Sequence, residues 1–317
     1  MSVRHSSESS RSVRSALFID GEIMEEVISI QWFPGHMTRT KRQLAASLKL
    51  VDCVAEIIDA RVPFSSRNPD LRKLINNKPR IVLMNKCDIA DKAQNQKWIA
   101  VYKNAGITAL PVDCKTGKGL NAFMPAVRTV LADKIKAWEA KGMKGKTIKV
   151  MVVGIPNVGK SSFINKMVKQ SKAKVEDRPG VTRGNQWFTI GKGFELLDTP
   201  GVLWPKFEDK IVGEKLAFTG AVRDQVVDTE GLAARLLLLL RDSYPDAIKS
   251  RYKMDMDISE LQGYEMLELI GRKRGMLISG GEIDTLRAAE TVLDEFRGGI
   301  LGKITLDRTE DYGAFRI

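Results

Sequence analysis

The sequence predicts an α/β domain built on a mostly parallel sheet with helices on both faces, followed by a small all-α domain. Three observations carry this expectation. Apolar runs rich in β-branched residues alternate with helix-length segments over the first two thirds of the chain. A glycine-rich loop of the phosphate-cradling kind, residues 154–161, joins one such run to the helix after it. After about Trp204 the strand signature stops and helical periodicity takes over. At 317 residues, the usual domain size of roughly 150 residues also gives two domains.

Met1 to Ala16 is rich in Ser and Arg, has one acidic residue and lacks the apolar core of a secretory signal. Residues 1–30 therefore read as a disordered extension of a cytoplasmic protein. An Arg/Ser-rich, acid-poor start also fits a mitochondrial transit segment, so the mitochondrial matrix is the alternative location. Gln31 to Leu50 reads as a basic amphipathic segment beside the sheet, with Leu44, Leu48 and Val51 at helical spacing. The expected strands are Cys53–Ile58, Arg80–Met84, Ile107–Val112, Thr147–Val153, Trp187–Ile190 and Phe194–Leu197. Helices are expected at Leu120 to Ala140 and Ser161 to Lys169, and the Lys-rich stretch Lys134 to Lys149 reads as a flexible connector. In the helical part, Leu232–Leu240, Gly263–Arg272 and Ile283–Phe296 carry the periodicity. The expected domains are 31–205 and 206–317.

The chain carries a formal charge of +12, which points to a polyanionic partner. The charge is uneven: residues 225–317 hold 13 basic and 17 acidic side chains, so the first 224 residues carry +16 against −4. Three cysteines without a CxxC pair and two histidines are too few for a His/Cys zinc site. The most apolar stretch, Leu232 to Leu240, is nine residues long and interrupted by Arg235, far short of the roughly 20 residues that span a bilayer.

Gly154-Ile155-Pro156-Asn157-Val158-Gly159-Lys160-Ser161 is a complete GxxxxGK[ST] signature between a strand and a helix. Its glycines let backbone N–H groups approach phosphate oxygens, Lys160 brings charge to the β and γ phosphates, and the Ser161 hydroxyl offers a Mg²⁺ ligand. Asn157, Val158, Gly159, Lys160, Ser161 and Ser162 are the expected contacts, assisted by the helix N-terminus. Asp198-Thr199-Pro200-Gly201 ends a later strand, where the Asp198 carboxylate holds Mg²⁺ through water and the Gly201 N–H reaches the γ-phosphate. Thr182 offers a second hydroxyl for the metal. Asn85-Lys86-Cys87-Asp88 selects guanine: Asp88 accepts from N1–H and the 2-amino group together, Asn85 ties this loop to the phosphate loop, and Lys86 lies along the base. Asp113-Cys114-Lys115-Thr116-Gly117 matches, loosely, the loop whose N–H meets guanine O6, which adds Cys114 and Lys115.

The order of these motifs is informative. In an ordinary small GTPase the phosphate loop precedes the base-reading loops, whereas here it follows them, so the P-loop GTPase domain is circularly permuted. The switch at Gly201 then leads straight into the helical domain. With Trp32-Phe33-Pro34-Gly35-His36-Met37, Asp59-Ala60-Arg61-Val62-Pro63 and Ser65-Ser66-Arg67-Asn68-Pro69, the chain resembles the circularly permuted GTPases of the ribosome-biogenesis GTPase A type from about residue 30 onward. That resemblance implies a GTPase acting late in large ribosomal subunit assembly, binding ribosomal RNA and pre-ribosomal particles and stimulated by them.

Where other GTPases carry a water-orienting Gln, this chain has Val202. The resemblance implies that His36 orients the water; read from the residues alone, His36 equally caps a helix or touches RNA. Asn157 resembles the asparagine by which related GTPases hold K⁺. The basic residues Arg39, Lys41 and Arg42, then Lys141, Lys144 and Lys146, then Lys172, Lys174, Arg178 and Arg183 form the expected RNA-phosphate surface, with Arg272-Lys273-Arg274 as a local spot in the helical domain. The expected species is a monomer off the ribosome, without membrane insertion. The competing readings are a GTPase acting on transfer RNA or at a membrane, and a slowly hydrolysing, GTP-regulated scaffold.

Overall fold

The computed structural model describes residues 42–75, 78–171, 186–191, 193–201, 209–222 and 228–312. Six strands, β1 (Cys53–Asp59), β2 (Arg80–Asn85), β3 (Thr108–Pro111), β4 (Ile148–Val153), β5 (Gln186–Thr189) and β6 (Phe194–Asp198), form one sheet in the order β3-β2-β1-β4-β6-β5. All neighbours are parallel except the β5/β6 pair. Each strand lies within one residue of the span expected from its apolar run. The cause is burial on both faces: successive side chains of a strand point to opposite sides. Cys53, Ala55 and Ile57 of β1 enter one apolar cluster, while Val54 and Ile58 enter two others across the sheet.

Leu44, Leu48 and Val51, from helical residues 42–48 and the turn after them, pack with Met151, Val153 and Leu197 on one face, as their spacing predicts. Helix α1 (Pro69–Ile75) joins them there. Helix α2 (Lys92–Asn104) covers the β1–β3 side of the same face and starts at Asp91, whose carboxylate accepts from the Ala93 and Gln94 N–H groups. The opposite face holds α3 (Phe123–Val130) and α5 (Lys160–Ser171), where Phe123 and Phe163 meet edge to face.

The flexible connector expected at Lys134 to Lys149 is overturned in its first part. The helical segment breaks at Leu131 and resumes as α4 (Ala132–Ala140), and a turn leads into β4. The reason is Trp138, which is buried, with the Lys134 and Lys146 ammonium groups over its ring at 5.2 and 4.6 Å. The lysine stems thus shield an aromatic anchor that the charge count conceals.

The helical region comprises α6 (Lys210–Phe218), α7 (Thr229–Ser243), α8 (Pro245–Tyr252), α9 (Gly263–Arg274) and α10 (Thr285–Gly298). Leu232–Leu240 lies inside α7, whose Leu232, Leu236, Leu237 and Leu240 are buried against α9 and α10. Asp209, Asp228 and Asp284 cap α6, α7 and α10 through their carboxylates. No helix among the described residues is long and apolar enough to cross a membrane.

After α10 the described residues leave the helical region. Residues 304–312 return to the sheet side, where Ile304 N–H donates to Ile89 O and Leu306 N–H to Arg61 O. Asp307 is fully buried and accepts from the Phe64 and Ser65 N–H groups, Ser65 Oγ, Lys215 Nζ and Tyr312 OH, while its carbonyl accepts from Trp98 Nε1.

Candidate nucleotide site

Five parallel strands end at the same edge of the sheet, so the loops after β1, β2, β3, β4 and β6 converge there. Ligands of open α/β sheets bind at this edge. The arrangement places Asn85-Lys86-Cys87-Asp88 after β2, Asp113 to Gly117 after β3, the phosphate loop after β4 and Asp198 to Gly201 after β6. Motifs far apart and reordered in sequence thus become neighbours.

Asn85 is buried and joins three of these loops. Its Nδ2 donates to Val158 O in the phosphate loop at 2.7 Å, the link expected from sequence. Its Oδ1 accepts from the Cys114 N–H at 2.9 Å, a link the sequence did not announce. The Cys114 loop is shaped by Asp113, whose carboxylate accepts from the Lys115 and Thr116 N–H groups and the Thr116 hydroxyl. Burial opposes ionisation of Asp113, but these hydrogen bonds outweigh it and lower its pKa. Asp88 and Lys115 stay exposed beside the fixed loops, available to a ligand.

Two glycines of the phosphate loop are dictated by space. A Cβ at Gly159, whose φ is +100°, would stand 2.2 Å from Asn85 Nδ2, and one at Gly154 would stand 2.5 Å from Ile57 O. Asn157 takes φ +60° and donates from Nδ2 to Gly220 O, beyond the end of α6. Ser161 and Ser162 are exposed in the first turn of α5, where unpaired N–H groups and the helix dipole favour an anion. Lys160 Nζ donates to Ile155 O at 2.9 Å. Burial lowers the Lys160 pKa to about 8, against the opposing pull of Asp198.

Gly201 lies over this lysine: a Cβ there would be 2.8 Å from Lys160 Nζ and 3.1 Å from Pro156 N. The strand end is anchored by the buried Thr199, whose hydroxyl donates to Val152 O at 2.6 Å. Sequence reasoning assigned Thr199 no part. Asp198 is half-buried, and its pKa is raised by burial although Lys160 lies near.

P-loop GTPases use Mg²⁺, and these residues fit it. One hydroxyl on Ser161 and one carboxylate on Asp198 are hard oxygen donors suited to an ion that keeps waters and takes its remaining ligands from phosphates. Among the described residues there is no group of three or more His, Cys, Asp or Glu that could hold a metal ion. His36 and Thr182 lie outside the described residues, as do residues 1–30, Val202 and the basic residues Arg39, Lys41, Lys172, Lys174, Arg178 and Arg183.

Of the other basic residues, Arg42, Lys141, Lys144, Lys146 and Arg272 are exposed. Lys273 donates to Lys253 O, and Arg274 pairs with Glu295 at 3.0 Å. All three residues of this basic cluster in the helical region are nevertheless exposed.

The comparisons with known proteins agree with this geometry. A family model described as 50S ribosome-binding GTPase matches residues 149–270. The chain is 44% identical over 284 residues to a ribosome biogenesis GTPase A of Bacillus cereus, covering 90% of this chain and 95% of that one. It is 33% identical to a mitochondrial ribosome-associated GTPase 1 of Mus musculus, covering 88% of this chain and 90% of that one. Among solved structures, GDP-bound YlqF of T. maritima superposes with a TM-score of 0.63 at 26% identity, covering 85% of this chain and all of the other.

Proposed function

Because the chain belongs to the ribosome biogenesis GTPase A family and is a GTP-hydrolysing enzyme of ribosome assembly, we propose that it acts on a late precursor of the large subunit and hydrolyses GTP in response to that particle. The observation that carries the nucleotide part of the reading is Asn85, one buried side chain holding the base-reading loops and the phosphate loop in a single register. Asp88 then accepts from guanine N1–H and the 2-amino group, a pair of donors adenine does not present. The Cys114–Lys115 loop faces O6, Lys86 lies along the base, and Asn85 ties the base-reading loop to the phosphate loop. Val158, Gly159, Lys160, Ser161 and Ser162 take the phosphates, with the Gly201 N–H reporting the γ-phosphate. Ser161, Thr182 and, through water, Asp198 hold Mg²⁺, which supplies charge neutralisation at the phosphates when bound.

Val202 has no hydrogen-bonding group with which to orient water. His36 takes that role: a neutral imidazole accepts from the water and directs it at the γ-phosphate. Asn157 turns its amide nitrogen to Gly220 O and leaves its carbonyl oxygen as the atom offered to K⁺ beside the phosphates. Equal turnover in K⁺ and Na⁺ would count against that site.

The nucleotide-binding part spans 31–205 and the helical part 206–317, with 304–312 returning to the first. The excess of positive charge over residues 1–224 and the exposed Arg42, Lys141, Lys144, Lys146 and Arg272 suit contact with ribosomal RNA. The protein acts in the cytoplasm as a monomer between encounters with the particle. The test is GTP turnover with and without large-subunit precursors. The unaltered chain is stimulated, and His36→Ala loses the stimulation while binding GDP normally; unchanged stimulation of the variant contradicts the role of His36.

A further inference from the structure

Asp59 is the last residue of β1 and Arg61 lies just after it, between the base-reading loop after β2 and the phosphate loop after β4, yet neither has a place in the nucleotide contacts above. Both are almost wholly buried. Asp59 Oδ1 accepts from Arg61 N and Nε, each at 3.0 Å. Its Oδ2 accepts from Arg61 Nη2 at 2.7 Å and pairs with Lys86 Nζ at 2.8 Å. Lys86 is the lysine of the base-reading loop and holds a left-handed backbone, φ +62°. A non-glycine residue stays there only when its surroundings hold it.

The other side of the Arg61 guanidinium faces the helical region. Nη1 donates to Phe296 O at 3.2 Å and Arg297 O at 3.3 Å, in the last turn of α10, and the guanidinium carbon lies 5.1 Å from the Phe296 ring centre. A cation on the carbonyls of a helix C-terminus is favoured by the helix dipole. Arg297 in turn donates from Nε to Phe218 O at 3.1 Å and from Nη2 to Ala217 O at 3.0 Å, at the end of α6. Two residues on, Gly220 O receives Asn157 of the phosphate loop. The contacts form a ring: base-reading loop, Asp59, Arg61, the ends of α10 and α6, and the phosphate loop.

We propose that Arg61 is a positioning residue for guanine recognition: it fixes Asp59, which fixes Lys86, and the same guanidinium couples the base-reading loop to the end of α10. Guanine binding and the seating of the helical region are then one equilibrium, and each strengthens the other by the same factor. The inference rests on the assignment of Asn85 to Asp88 as the base-reading loop. It adds a route to the helical region separate from the covalent path through Gly201.

The test uses the full chain and fluorescent GDP. Arg61→Lys keeps the charge but cannot reproduce the fork that spans Asp59 and two carbonyls. It should weaken GDP about tenfold, the loss expected for one displaced charge-assisted contact. Adding Lys86→Met to Arg61→Lys should weaken GDP little further, because both changes cut the same connection. Losses that multiply, or an Arg61→Lys protein that binds GDP like the unaltered chain, would overturn the proposal.

A second measurement needs no variant. GDP should slow hydrogen exchange of the Gly299, Ile300 and Leu306 amides roughly tenfold, within the usual range of coupling between sites; unchanged exchange there overturns the coupling. Asp88→Asn separates the premise from the inference by exchanging guanine for xanthine preference. If Asp88→Asn still prefers GDP to XDP, the base-loop reading falls and this inference with it. If Asp88→Asn switches while Arg61→Lys has no effect, the inference alone falls.

Discussion

Removing the Asn85 side chain should open the nucleotide site from its middle. Asn85→Ala deletes one acceptor and one donor, leaving the Cys114 N–H and the Val158 carbonyl, both of buried residues, without the partners they have at 2.9 and 2.7 Å. A buried backbone group left unsatisfied costs about 1–3 kcal/mol, so the pair costs about 4 kcal/mol if water does not fill the gap. Because these bonds set the distance between the base and phosphate loops, GDP should also bind roughly 100-fold more weakly, equivalent to about 2.7 kcal/mol. Urea unfolding followed by circular dichroism measures the first quantity, and titration with a fluorescent GDP measures the second. Asn85→Asp sharpens the test, since it keeps an acceptor for Cys114 but sets a carboxylate against Val158 O. It should retain part of the stability and lose the affinity. An Asn85→Ala protein within about 0.5 kcal/mol of the parent, binding GDP equally well, would refute the reasoning.

Two further outcomes follow from burial. Lys160, with its pKa lowered to about 8 by burial, is already an ammonium below that pH and must gain a proton to meet phosphate above it. GDP affinity should be flat below pH 8 and fall by up to about tenfold per pH unit above it, with close to one proton taken up at pH 9, read by calorimetry in buffers of different ionisation heat. Over the same range the unfolded chain holds this proton more tightly, so Lys160's contribution to ligand-free stability should rise with pH between 8 and 10.5. Asp307→Ala strands the buried Lys215 ammonium and the Phe64 and Ser65 N–H groups, and should cost about 3–5 kcal/mol in urea unfolding. It should also release residues 304–312 to rapid hydrogen exchange while leaving the phosphate loop intact.

How far the sequence reveals the molecule depends on the range of the forces involved. The six strands are legible because burial on both faces imposes unbroken apolar runs, as in Val150 to Val153. The Asn85 link to the phosphate loop is legible because two motifs of fixed chemistry must face one ligand. Helix α2 is not, because its inner face is Gln94, Asn95, Trp98 and Tyr102, a mixed set with no apolar period. Its start at Asp91 was the available signal. Trp138 was hidden among lysines for the same reason. Asp307 could not be read at all: its meaning lies in Ser65 and Lys215, 242 and 92 residues away, and an Asp between Leu306 and Arg308 looks like any surface carboxylate. Asp59 and Arg61 stood out only as part of a family pattern: besides pairing with Asp59, Arg61 reaches the Phe296 carbonyl at the end of α10, 235 positions away, which no local pattern reveals.

If the chain acts on a large-subunit precursor as proposed, its GTP state governs its hold on that particle. Sucrose-gradient sedimentation of the protein with large-subunit precursors, in parallel with a non-hydrolysable GTP analogue and with GDP, tests it most directly. The account predicts that the protein travels with the precursor in the presence of the analogue and stays at the top of the gradient with GDP. Equal association in both states, or none in either, would contradict it.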